Sequence, residues 1–128
     1  HKRELSFWKS ASINPKEGIG KWYYEVGAGM GTALNITAAK NAYTIVDRGT
    51  WLSFKNKASL TVLVDKGEEL WNPYGIILVN PRKFKHVKAD FGQKFVNWLL
   101  SKEGQSAIGH FKIDGQQLFF PNANKKLD

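Results

Sequence analysis

Apolar residues recur at helical spacing in several stretches of this chain and gather into short runs in four others. Over residues 2–12, Leu5, Phe7, Trp8 and Ala11 make a mostly apolar face, with Lys2, Arg3, Lys9 and Ser10 off it, which predicts a helix. Asn14-Pro15-Lys16-Glu17-Gly18 breaks that pattern. Toward the other end, Phe91, Phe95, Trp98 and Leu99 repeat at the same spacing. Ser101 then caps a closing helix whose apolar face is Ala107, Ile108 and Phe111. These aromatics are expected in a core rather than on a base-stacking platform. Leu118-Phe119-Phe120-Pro121 is expected to lie pinned against the body, because an exposed Phe-Phe pair is an adhesive patch.

The four short runs cover residues 22–26, 42–46, 60–64 and 76–79, and each reads as a strand. A helical turn is the alternative for 22–26. The run at 60–64 alternates only weakly, so burial on both faces is expected. Asn72-Pro73-Tyr74-Gly75 introduces the run at 76–79 and Asn80-Pro81 ends it. Helices and strands in alternation predict an α/β fold, and no internal repeat or low-complexity segment interrupts it.

Gly27-Ala28-Gly29-Met30-Gly31-Thr32 leads into a predicted helix over 32–41. Closely spaced glycines allow positive φ and a close approach of backbone to ligand. A helix start adds unpaired N–H groups and partial positive charge. Together they make an anion cradle, or else a plain strand-to-helix turn. A dinucleotide fingerprint needs Gly-x-Gly-x-x-Gly, and the spacing here is Gly-x-Gly-x-Gly. Further on, Asp47-Arg48-Gly49-Thr50 forms a tight turn, with Thr50 as the expected cap of a short helix over 51–56. Arg48 is either a bidentate fork for an oxyanion or half of a surface pair with Asp47.

Composition narrows the classes. The 128 residues are 42% hydrophobic and 13% aromatic, which excludes a disordered tail. No apolar run approaches the roughly 20 residues of a membrane span. The absence of cysteine removes disulfides, thiolate metal sites and thiol catalysis. A net charge of +8 favours anionic partners, whether nucleic acid, anionic membrane or small anions. The basic residues are scattered, however, in clusters such as Lys2-Arg3, Arg82-Lys83 and Lys125-Lys126, as on an ordinary solvated surface. His1, His86 and His110 share no metal-ligand spacing with carboxylates, so no metal site is expected. No His-Glu-x-x-His, Walker or Gly-x-Ser-x-Gly motif occurs, and Glu68-Glu69 have no neighbour suited to acid/base work. Neither an enzyme nor a cofactor is indicated.

Four segments carry a resemblance to a family. His1-Lys2-Arg3-Glu4-Leu5 looks like the end of a Ser-Gly-Thr-His-Lys-x-Glu motif. The others are Gly29-Met30-Gly31-Thr32-Ala33-Leu34-Asn35, Tyr43-Thr44-Ile45-Val46-Asp47-Arg48-Gly49-Thr50, and the long stretch Phe111-Lys112-Ile113-Asp114-Gly115-Gln116-Gln117-Leu118-Phe119-Phe120-Pro121. Together they resemble the substrate-binding proteins of tungstate ABC transporters, within the type II periplasmic binding protein superfamily. The resemblance implies two α/β lobes closing on an anion, of which this chain is the C-terminal half. Residues 1–64 are then a second-lobe segment. Residues 65–128 are a hinge strand and helices returning to the first lobe. It also implies that two other ligand-contacting segments lie outside this sequence. The ligand-binding residues it indicates are Gly29, Met30, Gly31 and Thr32, then Arg48 and Thr50. Tungstate is the expected ligand, with molybdate or phosphate as alternatives. The expected partner is an ABC permease and the expected location periplasmic or at the cell surface. Self-association is expected of surfaces that normally face the other half. A nucleic-acid-binding domain, resting on charge and aromatics alone, is the reading from a different class.

Overall fold

The computed structural model describes residues 1–123, and the chain divides into two compact units. The first comprises His1–Thr50 and Phe54–Val62; the second comprises Trp51–Ser53 and the stretch from Leu63 onward.

In the first unit, α1 (Lys2–Ser10) forms where the apolar spacing places it. It stops because Ser12 turns left-handed at φ 57°. Ile13 N–H then reaches back to the Trp8 carbonyl at 3.0 Å and Ser12 N–H to Lys9 at 3.0 Å, the paired bonds that close a helix end. Asn14 caps the following 3₁₀ turn, Pro15–Gly18, by accepting from Lys16 N–H. The next helix, α2 (Met30–Lys40), starts two residues before its predicted start and ends on Asn41 in the left-handed region. Its buried side chains are Leu34, 1% exposed, and Thr37, whose hydroxyl donates to the Ala33 carbonyl at 2.8 Å. Side-chain bonds from Asn56 to Asn35 and from Ser59 to Asn41, each 3.4 Å, hold residues 56–59 beside α2. The short helix α3 (Arg48–Ser53), whose last three residues belong to the second unit, begins three residues earlier than predicted.

The second unit is built on α4 (Ala89–Leu100) and α5 (Lys102–His110), which pack against each other. Ser101 caps α5 as predicted, its Oγ accepting from Gly104 N–H at 3.1 Å. Gly104 has no room for a side chain, since a Cβ there would overlap the Trp98 carbonyl. Gln105 fastens the tail: its Oε1 accepts Asn122 N–H at 3.1 Å and Ala123 N–H at 3.0 Å. Between them runs a hairpin, β1 (Lys112–Ile113) against β2 (Gln116–Gln117), antiparallel, with Ile113 opposite Gln116. Its turn residues Asp114 (φ 49°) and Gly115 (φ 75°) are both left-handed, the conformation a two-residue hairpin turn requires.

Three expectations need correction. First, the runs at 22–26, 42–46, 60–64 and 76–79 form no ladder; among the described residues the β1–β2 hairpin is the one sheet. Residues 21–23 instead make a turn in which Lys21, Trp22 and Tyr23 all donate to the Gly18 carbonyl, with one isolated bridge from Ile19 to Tyr23. A strand needs a neighbour about 4.8 Å away to exchange hydrogen bonds with, and among the described residues these runs have none beyond that single bridge. The run at 60–64 is not buried on both faces either: Leu63 and Val64 are 71% and 72% exposed. Second, the α4 aromatics are not core. Phe91, Phe95 and Trp98 are all exposed, with Phe95 stacked on Trp98 at 6.2 Å and 16°. Third, within 118–121 Leu118 is buried but Phe120 is exposed, and Phe119, still 38% exposed, meets Tyr74 edge-on at 5.7 Å. In all three cases an apolar surface is present without the layer that would cover it.

Candidate functional site

The candidate site lies in the first unit and is built around the start of α2. Its approach begins at an aromatic cluster. Trp8 on α1 meets Trp22 at 5.6 Å and Tyr23 at 6.2 Å, and Trp22 meets Tyr23 at 6.0 Å. Glu4, one turn before Trp8 on the same helix, accepts the Trp8 indole N–H at 3.0 Å. Burial first, then the neighbouring carboxylates of Glu4 and Glu25, push the Tyr23 phenol up to about 12. His1 stands between the two acids, with Nδ1 3.5 Å from Glu4 and Nε2 3.9 Å from Glu25.

From Tyr23 the chain crosses through an exposed segment to α2. Gly27 takes φ 59°, where a side chain is strained. Gly29 is the N-cap, extended at φ −67° and ψ 164°, and no side chain caps the helix. The Gly29 carbonyl accepts Ala33 N–H at 3.0 Å and so closes the first turn. The N–H groups of Met30, Gly31 and Thr32 point outward along the helix axis without an intrahelical acceptor. No acidic residue occupies that turn, and nothing lies within 4 Å of a Cβ built on Gly29 or Gly31. Uncapped donors, the positive end of the dipole and open space together accommodate an anion.

The remaining candidates sit at α3. Asp47, not Thr50, is its cap: Asp47 Oδ1 accepts Thr50 N–H at 2.8 Å, the bond an N-cap carboxylate makes to the third helical residue. Asp47 Oδ2 also accepts the Thr50 hydroxyl at 2.6 Å. That proton is therefore engaged, and Thr50 has no donor left for an anion in this geometry. Arg48 is exposed at the first position of α3. Gly29, Met30, Gly31 and Thr32 thus share one turn, while Thr50 faces Asp47. Two features escaped the sequence reading: Asp47 as cap, signalled by Asp followed three residues later by Thr, and Glu4 as the acceptor of the Trp8 indole N–H. Beside the cluster, an open groove of about 480 Å³ is lined mainly by Ile19, Tyr23, Tyr24, Val26 and Ile36, with Lys40 over the Tyr24 ring at 4.6 Å.

Among the described residues no group of three or more His, Asp or Glu is placed to hold a metal. No helix among them is long and apolar enough to cross a membrane.

Residues 1–103 match the model of the PBP superfamily domain. The chain is 42% identical over 127 residues to the tungstate-binding protein TupA of Peptoclostridium acidaminophilum, covering 98% of this chain and 43% of that protein. It is 41% identical to a putative ABC transporter anion-binding protein of Haloferax volcanii, covering 96% of this chain and 36% of the relative. Among solved structures, the tungstate-binding protein TupA from Desulfovibrio alaskensis G20 superposes with a TM-score of 0.74 at 40% identity, over 95% of this chain and 50% of that one. The chain therefore spans less than half the length of the two curated relatives. It belongs to the PBP superfamily, and the α/β class expected from its pattern is that of its structural relative.

Proposed function

We propose that this chain is the C-terminal half of the substrate-binding protein of an ABC importer, one that captures a tetrahedral oxyanion, tungstate, and delivers it to the membrane permease. The observation that carries the reading is the start of α2. Three successive N–H groups from Met30 to Thr32, no capping side chain and no acidic residue leave a donor set open to an anion. Charge-assisted bonds of this kind contribute about 1.5–3 kcal/mol each. The Thr32 hydroxyl adds a fourth donor on the same turn. Arg48 is the positive side chain of the set, and Thr50 joins it only if its hydroxyl leaves Asp47. The names of the relatives, two tungstate-binding proteins and an anion-binding protein of an ABC transporter, support the ligand class and the transport role.

The chain's two units, which divide near residue 62, support an assignment of 1–64 to the second lobe and 65–128 to a hinge strand and returning helices. The uncovered run at 76–79 and the aromatic face of α4, both in the second unit, each suit contact with the other half of the receptor. The site performs no bond chemistry: the receptor is not an enzyme. It works outside the cytoplasmic membrane, in the periplasm or at the cell surface, where an importer collects its cargo.

The test is calorimetric titration of tungstate, molybdate, sulfate and phosphate into this chain and into a form extended at its N-terminus to the length of its relatives. Tight tungstate binding by the extended form supports the proposal. Preference for phosphate over both tungstate and molybdate would overturn it.

A further inference from the structure

In the second unit, residues 80–88 fold into two successive turns that gather four cations into one knob. Asn80 starts the first turn. Its carbonyl accepts Lys83 N–H at 3.2 Å and Phe84 N–H at 3.0 Å, and its Oδ1 accepts Arg82 N–H at 2.9 Å. Phe84 starts the second, its carbonyl accepting Val87 N–H at 3.1 Å. Each such turn brings residues three apart within about 7 Å, so the chain doubles back twice within nine residues and crowds Arg82, Lys83, Lys85 and Lys88 together. All four are exposed, and no Asp or Glu occurs from residue 70 to residue 89. Among the described residues none of the four pairs with a carboxylate. Phe84 lies in the same knob, 42% exposed, with Lys83 Nζ 5.6 Å from its ring centroid and the His86 ring edge-on at 6.3 Å.

We infer that this knob is a docking surface for an anionic lipid bilayer, with its cations on the headgroups and Phe84 at the boundary beneath them. Charge complementarity argues for the partner: cations crowded without a counter-charge repel one another, and an anionic surface relieves that repulsion. The ring argues for a bilayer over a purely polar anion, because an aromatic at headgroup depth buries apolar area while the neighbouring cations stay hydrated. The turns are built from the Asn80 side chain and backbone groups, so no cationic side chain is consumed in making them. The knob does not suit the seat of the other half of the receptor. Unlike the run at 76–79 and the aromatic face of α4, it carries four charges, and covering them without partners costs more than leaving them in water. The inference shares with the proposed function only the nearness of a membrane. Its test uses no tungstate, so each can fail alone.

The experiment is vesicle sedimentation of the N-terminally extended protein at physiological salt, with vesicles of phosphatidylcholine alone or mixed with phosphatidylglycerol. Binding to the mixed vesicles only, lost at high salt, is expected. Each Lys or Arg beside an anionic surface contributes roughly fivefold to partitioning, so Arg82→Gln, Lys83→Gln and Lys85→Gln together are expected to lower it about a hundredfold. Lys85→Glu alone, a change of two charges, is expected to lower it about thirtyfold, and answers the question if the triple variant fails to fold. The same loss of charge in the first unit, by Lys16→Gln, Lys21→Gln and Lys55→Gln, all exposed, is expected to change it less than about fivefold. Phe84→Ser is expected to weaken vesicle binding severalfold and to leave retention on duplex DNA unchanged. Equal losses from the two triple variants overturn the inference, because net charge and not the knob then governs binding. So does absence of binding to the mixed vesicles, or equal binding to phosphatidylcholine alone. Tighter retention on duplex DNA than on mixed vesicles at the same salt also overturns it. Vesicle binding by the unextended chain but not by the extended form does so too, by showing that the other half covers the knob.

Discussion

Replacing Gly31 by Asp separates the stability of α2 from its capacity to hold an anion. Gly31 is the second residue of the helix, and nothing lies within 4 Å of a Cβ built there, so the side chain is accommodated without displacement. Relative to glycine, aspartate gains a few tenths of a kcal/mol in helix propensity. Its carboxylate at the positive end of the helix adds about 0.3–1 kcal/mol. The variant is therefore expected to be more stable than the parent by roughly 0.5–1 kcal/mol. The same carboxylate stands beside a bound dianion. At a separation of about 5 Å and with the full dielectric of water, repulsion between one negative charge and two amounts to about 1.7 kcal/mol, a loss of affinity of fifteen- to twentyfold. Partial exclusion of water raises the loss further. Urea unfolding of the chain measures the first effect, and calorimetric titration of tungstate into the N-terminally extended form measures the second. The reasoning is refuted if affinity is unchanged while stability rises, because an anion on these N–H groups cannot ignore a charge on the same turn.

Three further outcomes follow from the geometry. Asp47→Ala removes the acceptor of both Thr50 bonds and is expected to cost about 1 kcal/mol of stability, as loss of an N-cap does; equal urea midpoints would contradict the capping assignment. Gly104→Ala gains up to about 1 kcal/mol in helix propensity but forces a Cβ onto the Trp98 carbonyl. The clash involves backbone and cannot be relieved by a rotamer, so a net loss of about 1–2 kcal/mol is expected in urea unfolding, and a net gain would refute the tight α4–α5 joint. Tyr23 is held protonated in the fold, at about 12 against its ordinary 10.0. Its contribution to stability is complete below pH 10 and disappears as the pH climbs through 12. Ultraviolet titration of the four tyrosines is expected to show one ionising near pH 12, and Tyr23→Phe to abolish that step.

The helices were legible because their signals are local. The apolar spacing of α1, the Ser101 cap of α5 and the glycine turn before α2 each need only a few neighbouring residues. The strands were not, because a strand is defined by a partner. The runs at 60–64 and 76–79 have strand composition, but among the described residues no neighbouring segment completes a ladder with them. The same distinction explains Phe91, Phe95 and Trp98. Periodicity shows that they share one face of α4, whereas burial depends on whether a second layer lies over that face. The hairpin at Lys112–Gln117 was missed although Asp114-Gly115 is a strong two-residue turn signal, because two-residue strands leave no pattern of alternation. Within the candidate site, the turn from Gly29 to Thr32 was readable from its glycines. The side-chain pairings were not: Thr50 with Asp47 depends on where the helix begins, and Trp8 with Tyr23 joins residues fifteen apart.

The most direct test of the central claim is to add tungstate to the isotopically labelled, N-terminally extended protein and follow the backbone amides. The account predicts saturable, downfield movement of the Met30, Gly31 and Thr32 N–H signals, as donors to an anion, larger than at any position of α4 or α5. Saturable tungstate binding that leaves these three signals in place would contradict it.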